Sequence, residues 1–337
     1  MPGGEEMLAI AQFGAGRIGA IHAGNVVASG RARLAHVVDV NAAAAEALAN
    51  RHGAAVSSPQ AALADPAVGA VIIASSTDTH AGLIIAAARA GKAIFCEKPI
   101  DLALPRVDEA LQAVRAAGVP LMVGFNRRFD PSFASLHAAI TAGRIGKVEQ
   151  VVITSRDPGP PPLDYIRVSG GQLRDMTIHD FDMARWLLGE EPVEVFAYGA
   201  CLVDPAIGAA GDTDSVMLLL KTASGRMAHI NNCRRASYGY DQRIEAFGSL
   251  GRLVAGNRLE STVELANEAG QTSAKPMHFF LERYAEAYRI ELGAFIDAVT
   301  DGKPVPVGGA DGRQALLLAD CAVRSLADGQ PIRVPAP

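Results

Sequence analysis

Gly14, Gly16 and Gly19, spaced G-x-G-x-x-G, constrain what this chain can fold into more than any other feature. They follow an apolar run, Leu8–Phe13, and open a helical stretch. A second apolar run over 34–38 ends in Asp39, twenty residues beyond Gly19. Strand, glycine turn, helix and downstream acid are the opening of a parallel sheet that holds a dinucleotide. Gly14 permits the tight turn and Gly16 lets the backbone approach a pyrophosphate. Gly19 lets the helix pack close to the sheet, and the helix N-terminus faces the phosphate charge. Three glycines alone occur in many loops; the strand, the helix and the acid make the pattern specific.

The chain has 337 residues, room for about two domains. It is 49% hydrophobic, enough for a sizeable core, and its net charge of −5 offers no basic field to nucleic acid. No apolar run has membrane length, and the short acidic stretch at 1–6 does not resemble a signal or transit peptide. Cys96, Cys201, Cys233 and Cys321 lie far apart and form neither a C-x-x-C pair nor a metal spacing. The expectations are reduced thiols, a cytoplasmic protein, no membrane partner and no metal. Cys96 is expected to be a buried strand residue.

In the first half, apolar runs at 8–13, 34–38, 70–74, 93–96 and 121–125 read as strands buried on both faces. Helical stretches such as 80–90 and 105–117 alternate with them, and Gly91 and Gly118 stand where helix C-caps belong. This alternation predicts a parallel, doubly wound sheet with right-handed crossovers. After Phe125 the pattern changes. A helix is expected at 131–142, a strand at 147–155, then a loop with Pro158, Pro160, Pro161 and Pro162. Gly170 and Gly171 precede a helix at 177–188. Strands at 193–202, 215–222, 226–234, 242–247 and 252–255, separated by turns, read as an antiparallel meander. Helices at 278–300 and 309–327 close the chain. The expected architecture is α/β: an N-terminal Rossmann domain at 1–126 and a C-terminal α+β domain at 127–337 on a largely antiparallel open sheet.

In the cofactor half, Asp39 can accept hydrogen bonds from ribose hydroxyls and would repel a 2′-phosphate, and neither Val40 nor Asn41 is basic. NAD is therefore favoured over NADP. Arg17 and Ile18 complete the glycine turn. The segment 75–80 follows the third strand at the ligand-binding edge. Thr77 and Asp78 can cap the next helix, and Ser76, Thr77 and His80 are candidate cofactor contacts. His80 reads as a helix-start residue rather than a catalyst. Glu97, Lys98 and Pro99 follow the fourth strand, a position that would present an ammonium near a nicotinamide or, by position alone, equally leave a surface lysine before a turn.

Asp175 and His179, four apart at the start of an expected helix, would share one face. A carboxylate beside an imidazole fixes its tautomer and raises its proton affinity. Oxidising a secondary alcohol by hydride loss needs such a base for the hydroxyl proton, and Lys98 would stabilise the developing alkoxide. Asp180 and Asp182 read as exposed or capping charges.

These features together resemble the Gfo/Idh/MocA oxidoreductase family. The resemblance runs from about Met7 to Val334. Its carriers are the glycine turn, 95–101, 124–130, 155–162 and 174–182, with 231–235 and 238–243 in support. It implies Lys98, Asp175 and His179 as the catalytic triad, NAD as cofactor and a homotetramer formed through open sheet faces. It further implies an inositol oxidised at carbon 2, with Arg128, Asp157, Tyr238 and Tyr284 on segments that line the polyol pocket. Several spaced donors and acceptors suit a ring of neutral hydroxyls. Gln172 and Leu173 fall on a variable stretch, which leaves another inositol isomer or an aldose open as substrate. A catalytically silent, cofactor-sensing regulator would be expected to lack the lysine or the Asp/His pair. A purely structural domain leaves the glycine turn with Asp39 unexplained.

Overall fold

A computed structural model describes residues 7–336, and the acidic stretch at 1–6 lies outside them. The first compact unit begins with β1 (Leu8–Phe13), α1 (Arg17–Ala28), β2 (Ala32–Val38), α2 (Ala42–His52), β3 (Ala55–Val56) and α3 (Pro59–Ala64). It continues through β4 (Val68–Ile73), α4 (Thr77–Arg89), β5 (Ala93–Glu97), α5 (Leu104–Ala117) and β6 (Leu121–Gly124). The six strands are all parallel, in the order β3-β2-β1-β4-β5-β6. Strand order reverses between β1 and β4, so the loops after these two strands form the switch point where such sheets bind ligands. Ile10, Ala11, Val71, Ile72, Ile94 and Phe95 are fully buried, as strands covered on both faces require. Gly118 caps α5 in the left-handed region, φ +66°, and Gly91 follows α4 at φ +68°.

The second unit opens with α6 (Pro131–Thr141), whose N-cap Asp130 accepts from the amides of Ser132 and Phe133. Then come β7 (Val148–Arg156), α7 (Leu163–Ser169), α8 (Gly171–Asp175), α9 (Ile178–Leu188), β8 (Pro192–Ala200) and α10 (Pro205–Ala209). β9 (Ser215–Thr222), β10 (Met227–Cys233), β11 (Asp241–Gly248), β12 (Gly251–Ala255) and the hairpin β13 (Glu264–Asn267) with β14 (Gly270–Ser273) follow. α11 (Phe280–Arg283), α12 (Ala285–Thr300), α13 (Gly309–Asp328) and β15 (Ile332–Arg333) end the chain. The expected single helix at 278–300 is broken at Tyr284, between α11 and α12.

The large sheet of this unit has the order β12-β11-β7-β10-β9-β8-β15. It is mostly antiparallel but not a simple meander. β7 inserts between β11 and β10 and runs parallel to β10. Period-two alternation marks which face a residue takes, not which strand lies beside it. Along β9, Val216, Leu218 and Leu220 are buried while Met217 and Leu219 are exposed. α9 packs on β7 and β10.

Residues 287–313 do not stay with the rest of 127–337. They belong to the first unit, while Gln314 onward returns to the second. The Phe295 ring packs on Phe95 at 5.7 Å, and Tyr288 packs on His22 at 5.8 Å. The amide of Val123 donates to the carbonyl of Val307.

Candidate active site

In the first unit the chain turns sharply after β1. Gly14 has φ +100°, and a Cβ there would stand 2.4 Å from the Ala74 carbonyl oxygen. A Cβ on Gly19 would stand 2.1 Å from the Gly14 carbonyl oxygen. Gly16 differs: a Cβ there would meet nothing within 4 Å. Gly14 and Gly19 are thus required by the protein's own backbone, whereas Gly16 keeps open space clear. Gly16 is the N-cap of α1 and no side chain caps that helix end. Arg17 beside it is exposed and Ile18 is half-buried. This cradle fits a pyrophosphate. Gln12, which the sequence reading passes over, is fully buried beneath the turn, and its side-chain amide donates to the Gly14 carbonyl, 3.1 Å.

Asp39 directly follows β2 and is half-buried. Its carboxylate accepts from the amides of Ala15 at 2.6 Å and Asn41 at 2.7 Å. It therefore ties the glycine turn to the end of the second strand.

The capping expected of Thr77 and Asp78 is not found. Ser76 occupies the N-cap of α4 without a side-chain bond, and Thr77 is the first helical residue. The Thr79 hydroxyl instead donates to the Ser76 carbonyl, 2.7 Å. His80 is buried, its Nδ1 2.8 Å from the Pro99 carbonyl and its Nε2 3.0 Å from that of Ser75. It links the loop after β4 to the loop after β5. The Lys98–Pro99 peptide bond is cis and Lys98 is half-buried. Glu97 points inward, its carboxylate 2.7 Å from Nε2 of the buried His22. A Cβ on Gly124 would press on that carboxylate at 2.9 Å. Cys96 is fully buried and burial pushes its thiol well up, which suits a strand core residue rather than a nucleophile.

In the second unit, Asp175 and His179 do not ride on one helix as their spacing suggests. Asp175 is the last residue of α8 and His179 the second of α9, with Met176 and Thr177 between. The Met176 and Thr177 amides both return to the Gln172 carbonyl, and α9 starts afresh from the Thr177 carbonyl. The reset has a cause: the Thr177 hydroxyl donates to the Asn232 side chain on β10 at 2.6 Å, which pins the junction to the sheet.

Asp180 and Asp182 are buried, not exposed. Asp180 accepts from Arg127 at 2.5 Å, the Ser155 hydroxyl at 2.6 Å and the Asn232 side-chain amide at 2.9 Å. Burial disfavours the Arg127 charge, but Asp180 together with Tyr284, Tyr240 and Asp157 outweighs it, and the guanidinium's pKa stays above its ordinary value. Asp182 takes a two-pronged ion pair from Arg128, 2.8 and 2.5 Å. An acid-rich helix start reads as solvated from sequence; β7, β10 and the segment 127–128 supply the partners that let it be buried.

The remaining candidates are placed as follows. Tyr238 donates to Asp241 at 2.5 Å and receives a bond from Arg156 at 3.0 Å. Tyr284 is buried, its hydroxyl 3.2 Å from the Gln242 side-chain oxygen, with the guanidinium groups of Arg127 and Arg283 over its ring. Its phenol is pushed up to about 12 by burial, against the pull of Arg127 and Arg283. Asp157 follows β7 and is half-buried. Desolvation raises its carboxyl to about 7; Arg234 opposes this, Asp175 adds to it, Arg127 opposes and Asp180 adds. A carboxyl near 7 can donate as well as accept at neutral pH.

An all-parallel sheet with a phosphate cradle and strand-end acid at its switch point, joined to a second unit on an open mixed sheet, defines a class: two-unit, dinucleotide-dependent oxidoreductases. Residues 8–125 match the model of an oxidoreductase family with an NAD-binding Rossmann fold, and 133–254 match the GFO/IDH/MocA C-terminal domain. The chain belongs to the Gfo/Idh/MocA oxidoreductase family and takes NAD. It is 55% identical to an inositol 2-dehydrogenase of Rhizobium meliloti strain 1021, covering 96% of this chain and 98% of that one. It is 49% identical to a myo-inositol 2-dehydrogenase of Thermotoga maritima, again over 96% and 98%. A crystal structure of a putative myo-inositol dehydrogenase from Sinorhizobium meliloti 1021 superposes with a TM-score of 0.95 at 53% identity, covering 98% of this chain and all of that one.

Proposed function

We propose that this enzyme oxidises myo-inositol at carbon 2 to the corresponding ketone, scyllo-inosose, as a step of inositol catabolism. The observation that carries this is full-length similarity to inositol 2-dehydrogenases, with Lys98, Asp175 and His179 all present. Bound NAD supplies the hydride acceptor. The His179 imidazole takes the hydroxyl proton as the C–H bond breaks and the carbonyl forms. Asp175 orients the ring and stabilises its charged form, and Lys98 offsets the developing negative charge on oxygen. Among the polyol candidates, Asp157 is the strongest, because Arg128 and Tyr238 are already bonded to Asp182 and Asp241, and Tyr284 is buried on Gln242. Gly14, Gly16, Arg17, Ile18, Gly19, Asp39, Ser76 and Thr77 would hold the cofactor, with His80 and Glu97 behind them.

The proposed assembly is a cytoplasmic homotetramer. Its support is the open sheet face, where Val152, Met217, Leu219, Met227 and Phe247 stand exposed together with Tyr198 and Val254, and the four free cysteines. No helix among the described residues is long and apolar enough to cross a membrane.

The test is a panel of myo-, scyllo- and chiro-inositol and aldoses with NAD or NADP, followed as absorbance of the reduced cofactor. The highest kcat/KM is expected with myo-inositol and NAD. Preference for an aldose would overturn the substrate assignment. His179→Ala is expected to lower the rate by roughly 10²–10⁴, and wild-type turnover by that variant would remove the histidine from the mechanism.

A further inference from the structure

We propose that Tyr165 is a positioning residue for the oxidation, acting through Asp175; this rests on the catalytic reading of Asp175 and His179 given above. The Tyr165 hydroxyl donates to Oδ1 of Asp175 at 2.9 Å. Tyr165 sits on α7 and Asp175 ends α8, and both belong to the second unit.

The two short helices are joined by Gly170 and Gly171, at φ +85° and +80°, a pair of left-handed residues that turns the chain back on itself. A Cβ on Gly171 would lie 2.7 Å from the Asp212 carboxylate, which also accepts the Gln172 amide. The start of α8 is thereby anchored. α7 is entered through Pro160, Pro161 and Pro162, which stiffen the approach, and it buries Ile166 and Ser169. Its Tyr165 ring stays half-exposed while the hydroxyl reaches across to Asp175.

A carboxylate has two oxygens, and fixing one fixes the plane that carries the other. Asp175 needs this help because the helix breaks directly after it. A continuous helix would aim its side chain along a shared face with His179; here the reset at Met176 and Thr177 leaves that aim to other contacts. Bonding of Oδ1 by Tyr165 sets the direction of Oδ2. The sequence gives no sign of it, since a tyrosine ten residues upstream of the acid matches no helical or strand period.

Tyr165→Phe and Tyr165→Ala are compared with the wild type by steady-state kinetics with myo-inositol and NAD, with melting temperature measured on each. The phenylalanine variant keeps the ring and loses only the hydroxyl. It is expected to lower kcat roughly tenfold, the loss of one hydrogen bond to a charged group, with both KM values within about twofold and the melting temperature unchanged. Phenylalanine that restores full activity where alanine does not would show that the ring matters and the bond does not, which overturns the proposal. A raised polyol KM with kcat intact would make Tyr165 a substrate-binding group and overturn it as well. His179→Ala is assayed in parallel. Near-wild-type activity there overturns the catalytic reading itself, whereas a dead His179→Ala beside a fully active Tyr165→Phe overturns only the role of Tyr165.

Discussion

Asp39 and Asp157 show how one residue type takes two roles from its surroundings. Asp39 accepts one backbone amide from the glycine turn, that of Ala15, and one from its own loop, that of Asn41, and is the proposed ribose acid. Asp39→Ala is expected to raise the KM for NAD by roughly 10–100-fold, the worth of hydrogen bonds to a charged group, and to narrow the preference over NADP. Unchanged cofactor preference would remove that role. Asp157 lies in a desolvated setting that lifts its carboxyl to about 7, against roughly 3.9 in an unfolded chain. Between those values the folded state holds the extra proton, so this group's contribution to stability is full below about pH 4 and is lost as pH rises to about 7. Asparagine does not titrate. The melting temperature of Asp157→Asn minus that of the wild type should therefore be more positive at pH 8 than at pH 4. A pH-independent difference would contradict the raised value.

The first turn of α9 shows how an element is set by contacts the local sequence does not contain. Asp180 takes its three bonds from Arg127, from Ser155 on β7 and from Asn232 on β10. His179 is its neighbour in the chain, so the same bonds fix where the imidazole starts. Asp180→Ala would strand a buried guanidinium, since Arg127 is only 4% exposed. The expected cost is about 3–5 kcal/mol, read as a lower denaturation midpoint in urea with an unchanged slope. A midpoint equal to the wild type's would mean that the hub is not structural. The sequence marks the helix at 177–188, within a residue of α9, but not the break before it, because the spacing of Asp175 and His179 fits a continuous helix as well as it fits a break. In the fold the break is pinned by Thr177, bonded to Asn232 on β10.

At the scale of the whole molecule, the second unit's sheet keeps an apolar row on its open face. Met217 and Leu219 alternate there with the buried Val216, Leu218 and Leu220. Large exposed apolar patches mark interaction sites, and the proposed occupant of this one is another copy of the chain, which would meet it symmetrically. Sedimentation velocity at micromolar concentration is expected to show a tetramer, and Leu219→Glu a smaller species with the first unit's NAD binding retained. A monomeric wild type would contradict the assembly.

The amino-acid sequence alone determined what depends on neighbours a few positions apart. The glycine turn with its strand and helix, the parallel alternation of the first half, the acid at Asp39 and the presence of Lys98, Asp175 and His179 are all of this kind. Each follows from backbone freedom, from a repeat of two or 3.6, or from the chemistry of one side chain. Tertiary structure decided what depends on residues far apart in the chain. It inserted β7 between β10 and β11, returned 287–313 to the first unit, buried Asp180 and Asp182 and brought Tyr165 to Asp175. Period and composition state that a residue faces a core or needs a partner. Which core and which partner are settled by strand order and packing, and those are properties of the folded chain as a whole.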